Sequence, residues 1–183
     1  MSLHRMFDAA YPPQRAYPGC QAVAGYIGGN TPHVWTLDEW LRFSHLVQFP
    51  IWTGYAENDP VGHGQQCAAT MHQMGWRPGA PSRRAVILDE ETQVDGAWVD
   101  AFSTQIWDAG YQTFVYGSLA TVMQNPPKEG YLVADWTNVP AIPPYDNVVG
   151  CQYQANIAWD GTQVDLSVIT DAMLAHGGGG PRK

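Results

Sequence analysis

Basic residues are scarce in this chain. Nine Lys and Arg stand against seventeen Asp and Glu, for a formal net charge of −8, and the basic residues form no cluster. That argues against nucleic acid or an anionic membrane as the main partner, because both are bound through positive charge. A neutral glycan remains open. Long apolar runs are also missing: no stretch of about 18 apolar residues occurs, so no span of a membrane is expected. The opening Met1-Ser2-Leu3-His4-Arg5-Met6-Phe7-Asp8 lacks the apolar core of a signal peptide. Cysteine is sparse and odd in number. Cys20, Cys67 and Cys151 are far apart, with no C-x-x-C spacing, so neither a zinc knuckle nor a disulfide framework is expected. Three reduced thiols fit synthesis in the cytoplasm; work outside the cell would need a separate means of release.

Several motifs are absent as well. Gly28-Gly29-Asn30 is neither G-x-G-x-x-G nor a phosphate loop, which disfavours nucleotide binding. The six histidines include no H-E-x-x-H or other tight ligand set, so no metal and no cofactor are expected. Val115-Tyr116-Gly117-Ser118-Leu119 is not the G-x-S-x-G elbow of a serine hydrolase.

What is present begins with Ala85-Val86-Ile87-Leu88-Asp89-Glu90-Glu91. Four apolar residues lead directly into three acids. The apolar run reads as a fully buried strand, and its acids then stand at the strand's C-terminal end, where parallel α/β folds build their sites. Side chains alternate along a strand, so Asp89 and Glu91 share a face roughly 6–7 Å apart and Glu90 points the other way. Paired carboxyls at such a spacing suit glycoside hydrolysis, which needs one protonated and one ionised group. A solvated acidic loop after a core strand is the plainer alternative.

Strand and helix alternate over the first two-thirds. Strands are expected at 3–7, 22–27, 49–53, 85–88 and 113–116. Helices are expected after Thr36, whose capping-box partner is Glu39, and at 62–74 and 96–109. The last third reads as strands at 131–134, 148–153 and 157–159, then a helix from about Leu166 to Ala175. Eight strands with helical crossovers imply an α/β fold. The length of 183 residues suits a TIM-like β/α barrel, shortened so that the last strands lack full crossover helices; an open doubly wound sheet is the competitor. Residues 1–176 form one domain. Residues 177–183, Gly-Gly-Gly-Gly-Pro-Arg-Lys, read as a linker or frayed end. Eight Trp and nine Tyr are many for this length, and serve either the core or a groove for flat ligands such as sugars.

Other acids also follow apolar segments. Asp8 ends the first strand, Asp135 follows Tyr131-Leu132-Val133-Ala134, and Asp165 precedes the last helix. In a parallel barrel such ends meet at one mouth, where repulsion and burial raise some carboxyl pKa values. Taken singly, each acid has an ordinary role: Asp8 and Asp135 as turn residues, Asp165 as a helix N-cap.

These segments carry a resemblance. Phe7-Asp8-Ala9-Ala10-Tyr11, Ile87-Leu88-Asp89-Glu90-Glu91, Val115-Tyr116-Gly117-Ser118, Leu132-Val133-Ala134-Asp135-Trp136, Gln152-Tyr153 and Val164-Asp165-Leu166-Ser167 stand in an order that resembles the muramidases of glycoside hydrolase family 25 and their relatives in actinobacterial and phage proteins. The resemblance runs from about residue 6 to residue 170. It implies a β/α barrel that hydrolyses the β-1,4 bond between N-acetylmuramic acid and N-acetylglucosamine in peptidoglycan, without a metal. It makes Glu91 the general acid. Asp89 would orient the substrate's acetamido group or stabilise the oxocarbenium-like transition state, and Asp8 and Asp165 would complete the acidic cluster. Tyr116, Asp135, Trp136, Gln152 and Tyr153 would bind substrate.

The match has departures. The family's first motif carries Ser and Gln after the Asp, where this chain has Ala9-Ala10-Tyr11-Pro12-Pro13. Asp135 stands where many relatives have another residue, and His63-Gly64 has no place in the pattern. Two readings follow: a muramidase-type endolysin or wall-remodelling enzyme, or a catalytically weak or inactive module that holds glycan or builds a phage virion or cell surface.

Overall fold

The computed structural model describes residues 2–55, 59–79, 83–90, 94–125 and 130–178. Strands β1 (Leu3–Ala9), β2 (Ala22–Gly29), β3 (Val47–Thr53), β4 (Ala85–Asp89), β5 (Gln112–Ser118), β6 (Gly130–Ala134), β7 (Val148–Trp159) and β8 (Thr162–Thr170) close into one barrel in sequence order. β1 through β7 run parallel, whereas β8 is antiparallel to both of its neighbours, β7 and β1. The helices are α1 (Leu37–Leu41), α2 (Pro60–Gln73), α3 (Gly96–Asp108), α4 (Leu119–Val122) and α5 (Asp171–His176). The fold is therefore a shortened TIM-like α/β barrel, with the last strands lacking full crossover helices.

Alternation sorts the side chains. Met6, Ala24, Phe49, Ile51, Ile87, Phe114, Leu132 and Ile169 pack together inside the barrel. Phe7, Val23, Val86, Leu88, Val115, Val133, Leu166 and Val168 form a second cluster outside it, with Cys67 and Met71 of α2 and Val99, Phe102 and Ile106 of α3. Most strands are thus apolar on two faces, and each fully buried Val, Leu or Phe contributes roughly 1.5–3 kcal/mol. The helical layer is thin, and indoles fill it. Trp35, Trp40 and Trp76 are almost fully buried and pack in series, Trp35 tilted against Trp40 and Trp40 edge-on to Trp76, with ring centroids 4.8 and 5.1 Å apart. Most of the tryptophan surplus is therefore core: Trp52 and Trp98 are buried too.

Local signals set the helix starts. Thr36 and Glu39 form a reciprocal capping box at α1. Asp59 caps α2, with Pro60 in its first turn, and Asp95 caps α3. α1 is shorter than the periodicity suggests, because the chain turns after Leu41 to enter β3.

The last third differs from expectation in three ways. Residues 148–153 and 157–159 form a single strand, β7, bent by register shifts between Gln152 and Gln154 and between Gln154 and Ile157. The eighth strand is Thr162–Thr170, where a helix from Leu166 was expected; helix begins only at Asp171, capped by Thr170 rather than Asp165. The cause is Asp160-Gly161, both at positive φ (48° and 84°), which makes a tight hairpin and forces β8 to run back beside β7. Finally, Gly177 and Gly178 are docked. Gly178 exchanges backbone hydrogen bonds of 2.8 and 3.2 Å with Gln48, and a Cβ on Gly177 would collide with Val47 and Phe49. Residues 179–183 of the expected tail lie outside the described residues.

Candidate active site

The C-terminal ends of the parallel strands surround a cavity of about 110 Å³. Its floor is apolar: Met6, Ala24, Ile51, Ile87 and Leu132. Its rim is polar: Asp8, Tyr26, Asp89, Tyr116, Gln152 and Asp165. Four of the rim residues are the next inward position above an interior apolar residue: Asp8 above Met6, Tyr26 above Ala24, Asp89 above Ile87 and Tyr116 above Phe114. Asp165 reaches this end by the opposite route. Because β8 is reversed, its early residues lie at the mouth, and Asp165 stands directly across from Asp8 in the β1–β8 register. Two carboxyls opposite each other on antiparallel strands, with Cβ atoms roughly 5 Å apart, repel when both are ionised. A fold that keeps such a pair at the head of a cavity has a local conflict of the kind that marks functional sites.

Hydrogen bonds organise the rim. Tyr26 Oη donates to Asp89 Oδ2 at 3.3 Å. Tyr116 Oη and Trp136 Nε1 both donate to Gln152 Oε1, at 2.7 and 2.8 Å, and Gln152 Nε2 donates to Asp165 Oδ2 at 3.1 Å. An indole N–H can only donate, so Trp136 dictates which way the Gln152 amide faces. The backbone N–H of Asn156 donates to Asp165 Oδ1 at 2.6 Å. Asn156 has φ 60° and sits in the bulged stretch of β7, and the bulge aims its N–H at the carboxyl. Burial raises the pKa of Asp165, although the bonds from Asn156 and Gln152 oppose the shift.

Glu90 behaves differently from Asp89. It is fully buried on the outer side of the wall, under Gly117 and Val122. Asn125 Nδ2 donates to its Oε2 at 2.6 Å, and its Oε1 has no hydrogen-bond partner among the described residues. Burial pushes its pKa up to about 8, against the pull of Asn125 and with a smaller push from the neighbouring Asp89.

The structure thus brings Asp8, Asp89, Asp165, Tyr116 and Gln152 together. Trp136, 61% exposed, joins them from the rim through Gln152. Asp135 does not line the cavity: it is exposed just beyond β6, and its backbone N–H donates to Gln152 O. Tyr153 faces outward into the core, where its hydroxyl accepts from Arg5 Nη2 at 3.2 Å; its neighbour Gln152 points inward, so alternation allows only one of the two into the cavity. Glu91 lies outside the described residues. Tyr26 went unnoticed in the sequence, although Ala22-x-Ala24-x-Tyr26 places it on the inward face. Among the described residues no group of three His, Cys, Asp or Glu is arranged to hold a metal ion, and no helix is long and apolar enough to cross a membrane.

No family model and no curated protein matches the sequence. Solved structures do match in shape. An uncharacterised protein of B. stearothermophilus is 18% identical, with a TM-score of 0.69 over 96% of this chain and 100% of its own. The catalytic domain of an endolysin from a Listeria monocytogenes bacteriophage is 10% identical, with a TM-score of 0.70 over 94% of this chain and 96% of its own. A family 25 glycosyl hydrolase from Bacillus anthracis is 9% identical, with a TM-score of 0.63 over 91% of this chain and 88% of its own. The shared feature is the barrel fold. At these identities the likeness speaks for the barrel, and the residues of the mouth must argue for any chemistry.

Proposed function

We propose that this chain is a glycosidase of the muramidase type, cleaving the β-1,4 glycan backbone of peptidoglycan. One observation carries the reading: Asp8, Asp89 and Asp165, far apart in the chain, line one cavity with Tyr26, Tyr116 and Gln152. The endolysin domain and the glycosyl hydrolase that share the fold support it.

On this reading Glu91 is the general acid that protonates the leaving oxygen, and Asp89 steadies the acetamido group or the positive charge that develops on the sugar. Asp8 and Asp165 add negative potential at the mouth, and burial holds the Asp165 carboxyl above its ordinary range. A cavity of 110 Å³ is smaller than the roughly 150 Å³ that encloses benzene, so it takes one small substituent and leaves the rest of the sugar across the mouth. An acetamido arm fits: its methyl meets Ile51, Ile87 and Leu132, and its polar atoms meet the rim. Trp136 offers an exposed indole for stacking.

The test is digestion of purified peptidoglycan, read as new reducing ends. The protein releases them and Glu91→Gln, with its fold intact, does not; full activity in Glu91→Gln refutes the assignment. The small cavity, and Ala9-Ala10 after Asp8, favour a second reading: a glycan-holding module of a cell surface or virion with little or no activity. Retention on peptidoglycan without new reducing ends would select it.

A further inference from the structure

We propose that a second carbohydrate subsite lies beside the acidic cavity, in the open pocket formed by Asn30, Tyr55, His63 and Gln66 over Trp52; the proposal rests on the glycosidase reading. This pocket has a volume of about 440 Å³ and also includes Gly29. That is within the range of small-molecule sites, whereas the acidic cavity is not. A polymer that places only a substituent in the acidic cavity needs further contacts along its length, and this pocket is at the same end of the barrel. Its residues come from the ends of β2 and β3 and from the first turns of α2. It also abuts the acid-bearing strand: Gly54, between Thr53 and Tyr55, donates its N–H to Asp89 O at 2.8 Å.

The chemistry of the pocket suits a neutral, hydroxyl-rich ligand. Among the described residues its lining carries two amides, a phenol and an imidazole, and no Asp, Glu, Lys or Arg. The imidazole is held neutral and oriented. Trp52 Nε1 donates to His63 Nδ1 at 3.2 Å, which places the ring's proton on Nε2. Burial lowers the His63 pKa, against an upward pull from Asp59. Trp52 and Trp98 hold the ring edge-on, with centroids 5.7 and 6.1 Å away. His63 is therefore an oriented donor in a pocket shared with two exposed amide side chains, the mixture that reads sugar hydroxyls and acetamido carbonyls. The backbone is shaped around it. A Cβ on Gly28 would run into the Trp52 ring, and Gly29, at φ 84°, lies against the Thr53 backbone; the β2 bulge between Tyr26 and Gly28 leads into this approach. Asn30 follows at once and reaches the pocket.

The simpler role for His63 is to satisfy the buried Trp52 N–H. Asn30 and Gln66 separate the two, since both are exposed and neither takes part in that bond. The experiment uses a Glu91→Gln background to prevent cleavage, and titrates it with a disaccharide and a hexasaccharide of β-1,4-linked N-acetylglucosamine. Calorimetry gives affinity and NMR follows the His63 ring. The expected result is that the hexasaccharide shifts the His63 resonances, and that Asn30→Ala with Gln66→Ala lowers hexasaccharide affinity about tenfold or more without changing Tm. Equal hexasaccharide affinity in the two proteins, or a still His63 signal at saturation, overturns the subsite and leaves the glycosidase reading standing. Absence of any binding in the Glu91→Gln background, together with no release of reducing ends by the unmodified protein, removes both.

Discussion

Asp89 and Glu90 are adjacent in the chain and belong to different regions of the molecule. Asp89 faces the interior mouth, is 3% exposed, and shares its cavity with Asp8, Asp165 and the hydroxyl of Tyr26. Glu90 lies on the other side of the same wall, sealed under α4 beside a single amide, Asn125. Both are carboxyls of low exposure, so burial does not distinguish them. Company does. A carboxyl among other acids and hydroxyls, open to a cavity, can act on a ligand. A lone carboxyl in an apolar layer is pushed toward its neutral form and serves, at most, the packing around it.

The largest effect expected from this contrast is catalytic. On the proposed function, Asp89→Asn lowers the release of reducing ends by about 10²–10⁴-fold while leaving Tm within a few degrees, and Glu90→Gln stays within about twofold of the parent rate. A rate loss in Glu90→Gln equal to that of Asp89→Asn would erase the distinction. Next comes pH. With its folded pKa raised, the neutral form of Glu90 is the one folding favours. Its contribution is full below the ordinary value of 4.5 and is lost as pH rises through about 8. Denaturant unfolding from about pH 5 to pH 9 is therefore expected to show a decline on the order of 3–5 kcal/mol that Glu90→Gln removes; an unchanged slope in the variant places the titration elsewhere.

Gln152→Leu sharpens the cavity side. It unties Tyr116, Trp136 and Asp165 together, and about a tenfold fall in kcat/KM is expected, with a shifted pH profile because Asp165 loses a donor. An unmoved profile argues that Asp165 is not titrating during turnover. The smallest effect belongs to the outer wall. Tyr153→Phe removes one hydrogen bond from Arg5, at a cost of about 1 kcal/mol in thermal or denaturant unfolding, and leaves peptidoglycan digestion unchanged. Lost digestion would bring Tyr153 back to the site.

The parallel part of the barrel was legible because its signals are local. Uninterrupted apolar runs at 85–88 and 113–116, the capping box at Thr36 and the alternation that divides Asp89 from Glu90 all act over a few residues. The antiparallel end was harder. Val164, Leu166 and Val168 repeat with period two, but Leu166 to Ala175 also accommodates a helical pattern; Asp160-Gly161 was the signal that settles the matter, as a two-residue hairpin flanked by strand residues. Tyr153 was misread because neighbours in a strand cannot both face the cavity. Asp135 was misplaced because following a strand does not commit a side chain to point inward. The Gly177-Gly178 docking had no local signature, since it depends on how closely Val47 and Phe49 approach.

Residue order was sufficient to indicate a shortened α/β barrel and to mark Asp8 and Asp89 as strand-end candidates, because apolar periodicity is a property of short segments; the eighth strand, which carries Asp165, was not legible as a strand. Residue order was insufficient to say that Asp165 faces Asp8 across the β1–β8 seam, that Gln152 ties Tyr116 and Trp136 to that pair, or that Glu90 is sealed away. Those facts depend on register and on the reversal of β8, which are settled when distant segments pack and close the barrel.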